Sequence, residues 1–273
     1  MLSSTGIDLA VEGLLKRDRQ VVMAGLVLIT AIAWAYIYYL GLQMDMGPVG
    51  MVDAGATAIP MSDMVKLAPW TPADALFMFL MWAIMMVGMM IPSVTPMVLL
   101  YARVVRHNAK DAATFVPTGA FFSGYITIWI GFSAVATGLQ WGLEQAALLS
   151  PMMVSTSSLF AGIVLIVTAV YQWTPYKDAC LARCRSPVWF LSTYWRNGAG
   201  GAFSMGLSHG SYCLGCCWSL MLLLFVGGVM NLLCVAAITA FVLIEKAAPG
   251  GRTIGRAGAV LLGLTGVALL FSN

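Results

Sequence analysis

Phe203-Ser-Met-Gly-Leu-Ser-His209-Gly-Ser-Tyr-Cys213-Leu-Gly-Cys216-Cys217-Trp218-Ser-Leu-Met-Leu-Leu-Leu-Phe-Val-Gly227 runs without an Asp, Glu, Lys or Arg. About 20 apolar residues rising 1.5 Å each cross the roughly 30 Å hydrocarbon core of a bilayer, so the stretch predicts a transmembrane helix. It also holds one of the two histidines and three of the six cysteines of the chain. Thiolate and imidazole are soft-to-borderline donors suited to Cu(I), zinc or iron-sulfur, and the bilayer interior penalises polar groups that lack a partner. At about 100° per residue, His209, Cys213 and Cys216 fall near 0°, 40° and −20°, with Cys217 at about 80° on the edge of the same stripe. Cysteine also packs between helices as a small hydrophobe. Packing alone does not call for the histidine.

Composition agrees with a membrane setting. Hydrophobic residues make up 60% of the chain and charged residues 9%, too little polar surface for a soluble protein. A net charge of +3 gives no ground for nucleic-acid binding. The first apolar run follows Lys16-Arg17-Asp18-Arg19, is some twenty residues long and is followed by no small-residue cleavage site, so it reads as an uncleaved span.

Seven segments are long enough to cross: about 20–42, 74–100, 117–143, 153–175, 203–227, 229–246 and 254–271. Gly227-Gly228 supplies the reversal between the fifth and sixth. With the N-terminus inside, every Lys and Arg except Lys66 falls on the cytoplasmic side. The expectation is a single all-α, polytopic transmembrane domain over residues 1–273, with about seven helices, a cytoplasmic N-terminus and an external C-terminus.

The longest external loop carries Met44-Asp45-Met46, with Met51, Met61 and Met64 among acidic residues. Thioethers bind Cu(I) without deprotonation, which suits an oxidising compartment; the alternative is flexible apolar packing over helix ends. In the second span Met78, Met81, Met85 and Met89 form a stripe flanked by Met86 and Met90. A methionine stripe is commonly packing, yet Leu would specify a rotamer better, so the concentration also fits a Cu(I) relay. Pro92 and Pro96 should kink this helix and free carbonyls.

A hairpin about Gly228 places Glu245 at the depth of His209, either as a functional intramembrane carboxylate or as an interfacial charge pair with Lys246. Cys234 falls toward the outer side, and Asn231 is positioned to cap the sixth helix. Cys180 and Cys184 follow the fourth span, one helical turn apart beside Arg183 and Arg185, on a cytoplasmic connector set apart from the fifth span. They are either metal ligands or reduced packing residues. No Walker loop, phosphorylated-Asp signature or histidine-rich cluster occurs, which argues against an ATP-driven pump and against a multi-histidine centre built from this chain alone.

Met81-Trp82-Ala83-Ile84-Met85-Met86 through Met89-Met90-Ile91-Pro92-Ser93, Tyr171-Gln172, Pro175, Cys180, Cys184-Arg185-Ser186-Pro187, His209-Gly210, Cys213, Gly215-Cys216-Cys217-Trp218, Met230-Asn231 and Glu245-Lys246 together resemble a bacterial family. Its members are described as predicted metal-binding integral membrane proteins of unknown function. The resemblance covers about residues 75–246 and departs from the family pattern at Cys234-Val235. It implies a multi-pass inner-membrane protein with a metal, copper first, as ligand.

The combined expectation is a membrane protein that binds a soft metal, Cu(I) first and zinc second, for transport or delivery. Cys213, Cys216, Cys217, His209 and Glu245 would hold it, Met85, Met86, Met89 and Met90 would pass it, Met44, Asp45 and Met46 would capture it, and Cys180 and Cys184 are further candidates. The expected partners are the lipid bilayer, the ion, and a metallochaperone or a membrane-complex subunit. The rival expectations are a copper-dependent membrane oxidase or hydroxylase and a metal-free scaffold.

Overall fold

The computed structural model describes residues 4–45, 70–108, 115–149 and 153–271, and every named element among them is a helix. In chain order these are α1 (Ser4–Asp45), α2 (Pro72–Asn108), α3 (Phe115–Gln145), α4 (Ser158–Gln172), α5 (Pro175–Cys184), α6 (Pro187–Tyr194), α7 (Gly198–Leu222), α8 (Leu224–Gly227), α9 (Leu232–Ala247) and α10 (Gly251–Phe271). Among the described residues, five stretches are long and apolar enough to cross a membrane: Arg19–Leu42, Pro72–His107, Val116–Gln145, Gly198–Gly227 and Gly251–Phe271. The 15 residues of α4 and the 16 of α9 are shorter than a full crossing. Their predicted spans therefore rest on composition, not on helix length.

The core is built on α2, α3 and α7. Trp82, Met86, Met90, Phe121, Tyr125 and Trp129 are fully buried, whereas Val27, Leu28, Ile32, Leu261 and Leu264 are exposed on α1 and α10. That distribution is what an apolar solvent around the outer helices permits. α3 and α7 touch along their backbones: a Cβ at Gly206 would strike the Phe121 carbonyl, and one at Gly124 the Phe203 carbonyl. Two glycines facing each other's chain let the helices close to this distance.

Pro92 and Pro96 lie inside α2 without ending it. Proline at 92 removes the donor for the carbonyl of residue 88, and Trp34 Nε1 of α1 supplies a replacement to Gly88 O at 3.3 Å. The hairpin after α7 turns where expected, with Gly228 at φ 96° and the Asn231 side chain capping α9 through the amides of Leu233 and Cys234.

One expectation is corrected. The segment bearing Cys180 and Cys184 is not a connector apart from α7. After Gln172 the chain bends by 66° into α5, which lies against α7. Thr174 caps α5 through the Lys177 amide at 3.3 Å, and Pro175 opens its first turn. Lys177, expected in a cytoplasmic loop, is 2% exposed and bonded to Glu245 at 2.5 Å.

Candidate metal centre

α7 delivers His209, Cys213, Cys216 and Cys217 to the interior, each 3% exposed or less. The i, i+4, i+7 and i+8 spacing accomplishes this, since those positions share one face of the helix. The Cys216 and Cys217 thiols each donate to the Cys213 carbonyl at 3.0 Å. Cys213 Sγ accepts from Lys246 Nζ at 3.0 Å and meets the Tyr125 hydroxyl at 3.1 Å. Lys246 also reaches Ser93 Oγ on α2 at 3.2 Å. A half-buried ammonium thus stands on the Cys213 sulfur.

α5 contributes the fourth thiol. Cys184 Sγ lies 4.0 Å from Cys216 Sγ, which itself turns onto the Cys213 carbonyl. Thiolates on one tetrahedral ion with bonds near 2.3 Å stand about 3.8 Å apart, so this separation is already that of co-ligands. Cys184 is half-buried, whereas the three cysteines of α7 are buried. Cys180 Sγ packs against Gly215, where a Cβ would come within 2.7 Å of it. Cys234 lies against Gly227 at the hairpin, remote from the group, as its position in the sequence suggested.

The His209 ring is lined by Phe121, Tyr125 and Phe190, with centroids 6.2, 6.0 and 5.1 Å away. Its Nδ1 is buried with no hydrogen-bond partner among the described residues. An orphan imidazole nitrogen beside thiols is a donor set suited to a soft or borderline cation. As they stand, however, no three His, Cys, Asp or Glu side chains among the described residues are arranged to hold an ion. The reason is visible in the hydrogen bonds: two thiols are turned onto a carbonyl, and Lys246 covers Cys213.

The remaining candidates divide. Glu245 is not near an open ligand position; its Oε1 is bonded to Lys177. Met85, Met86, Met89 and Met90 are all buried at 1% exposure or less, and the Met90 carbonyl accepts from the Tyr125 hydroxyl at 3.4 Å. Tyr125 thereby joins the methionine helix to Cys213. Met44 and Asp45 belong to the last turn of α1, but their side chains, and all of Met46, lie outside the described residues. Tyr125, Lys246, Lys177 and Ser93 were not read as parts of a site. Only the adjacent charges Glu245-Lys246 in an apolar helix carried a signal, and it did not say which neighbour each would meet.

Fold and site define an all-helical protein, rich in apolar membrane-length helices, with thiols gathered in its interior. A family model described as PpoB2, copper chaperone, matches residues 79–269, and the chain belongs to that family. No curated protein matches it, and no solved structure does.

Proposed function

We propose that the chain is a multi-pass protein of the bacterial inner membrane that receives Cu(I) as cargo and passes it to a metallochaperone or a membrane-complex subunit. Residues 1–273 form one transmembrane domain with seven crossings and a cytoplasmic N-terminus, α4 with α5 serving as a broken crossing. Cys213, Cys216, Cys217 and Cys184 hold the ion, with His209 as the nitrogen donor. One observation carries this reading: the Cys216 and Cys217 thiols both turn onto the Cys213 carbonyl and Cys184 of a second helix stands 4.0 Å from Cys216, in a member of a copper chaperone family.

A sulfur-rich, water-poor site selects Cu(I) over harder divalent ions, and the half-buried Cys184 is its point of access. In so dry a place each thiolate needs a countercharge, which Lys246 supplies to Cys213 and the ion supplies to the others. The methionines of α2 pass the ion along the bundle, while Met44, Asp45 and Met46 collect it. Glu245 and Cys180 support the site through Lys177 and Gly215. Anaerobic titration of purified protein with Cu(I) against a chromophoric chelator tests the assignment. Cu(I) stoichiometry should fall by one equivalent when Cys213, Cys216 and Cys217 become Ser; unchanged stoichiometry, or a preference for Zn(II), would overturn it.

A further inference from the structure

At the opposite end of α2 from the thiols lies a second polar group that the thiol chemistry does not use. Glu144, at the C-terminal end of α3, is 8% exposed and accepts from Trp70 Nε1 at 2.8 Å and from Gln140 Nε2 at 2.9 Å. Both donors are neutral. The ion pairs among the described residues join Lys177 to Glu245 and Arg252 and Arg256 to Asp178, and none of the cations described there meets Glu144. A carboxylate buried to this degree is costly without a countercharge.

The Gln140 amide shows where that countercharge belongs. Its nitrogen donates at once to the Glu144 carboxylate and, at 3.6 Å, to the thioether sulfur of Met78, while Trp82 Nε1 fixes its oxygen at 2.7 Å. A point that satisfies a carboxylate oxygen and a thioether sulfur together suits a soft cation. One carboxylate neutralises a monovalent ion and leaves a divalent one with excess charge, which the dry surroundings disfavour.

We propose that Glu144 and Met78, bridged by Gln140, form a second, weaker site for a soft monovalent cation, Cu(I), at this end of the bundle. The proposal rests on the reading of Cu(I) as cargo. Met78 and Met90 are about 18 Å apart along α2, and Met81, Met85, Met86 and Met89, buried between them at 2% exposure or less, fill that interval. The site therefore stands at the head of the methionine column whose far end adjoins the thiols.

The test uses the full chain in nanodiscs, titrated anaerobically with Cu(I), and repeated with Ag(I), in a background where Cys184, Cys213, Cys216 and Cys217 are Ser. One equivalent should remain bound, and Glu144→Gln and Met78→Leu should each weaken it at least tenfold without altering size-exclusion elution. No retained ion, or affinity indifferent to both substitutions, overturns the second site and identifies Glu144 as a clamp between α2 and α3. If the serine background does not fold, the two variants are compared in the wild-type chain, where each must remove the weaker equivalent; retention of both equivalents overturns the proposal. Equal stoichiometry in the wild type and the serine background would sink the thiol assignment instead, so the two failures are distinct.

Discussion

At Cys213 the sulfur faces an ammonium and a phenol, while the carbonyl accepts two neighbouring thiols. Hydrophobic packing accounts for buried cysteine, but not for a lysine brought into the same pocket, because a buried charge is costly unless it meets an opposite one. The neighbouring Glu245 solves the same problem with Lys177, so two consecutive residues of α9 serve two different partners. Glu245→Gln leaves Lys177 buried without its anion and should cost about 3 to 5 kcal/mol. A thermal melt in detergent should show that loss while Cu(I) stoichiometry stays unchanged; one ion fewer would make Glu245 a ligand. His209 permits the converse separation. Phe in its place suits the aromatic lining and should leave the melt within about 1.5 kcal/mol of wild type. Cu(I) affinity should nevertheless fall about tenfold, which is roughly 1.4 kcal/mol.

Among the elements, α5 decides whether the thiols of α7 act alone. Its position could not be read from the sequence. Apolar length and the absence of charge announced the long helices, and helical spacing put His209, Cys213 and Cys216 on one face. Docking of α5 depends on a 66° bend at Trp173-Thr174 and on partners distant in the chain, Cys216 and Glu245, that no local pattern connects. Arg183 and Arg185 pointed to a cytoplasmic connector, and Lys177 was counted with them although it lies buried. The clean comparison is between two cysteines. Cys184→Ser should weaken Cu(I) binding at least tenfold, whereas Cys234→Ser, at the hairpin, should leave it unchanged; equal effects would dissolve the α5 contribution. On the opposite side of α7, Gly206→Val would force the helix off the Phe121 carbonyl, with an overpacking cost of about 3 kcal/mol read as a lowered melting temperature.

For the whole molecule, the placement of basic residues makes a prediction that the helices by themselves do not. Reporter fusions should place the N-terminus in the cytoplasm and the C-terminus outside; termini on one side would require an even number of crossings and would remove α4–α5 or α9 from the count. Lys177 lies near one end of α5 and Cys184 ends it, so the helix is held at both extremities, by an ion pair at the first and by sulfur at the second. Between Cys184 and Cys213 the chain runs through α6 and the start of α7. An ion that binds both cysteines closes this stretch into a ring, as a disulfide would, and its removal reopens the ring. Cargo is then also a reversible cross-link: the empty protein is the less tightly tied chain, and the stretch from 173 to 187 is where proteases should first distinguish it from the loaded one.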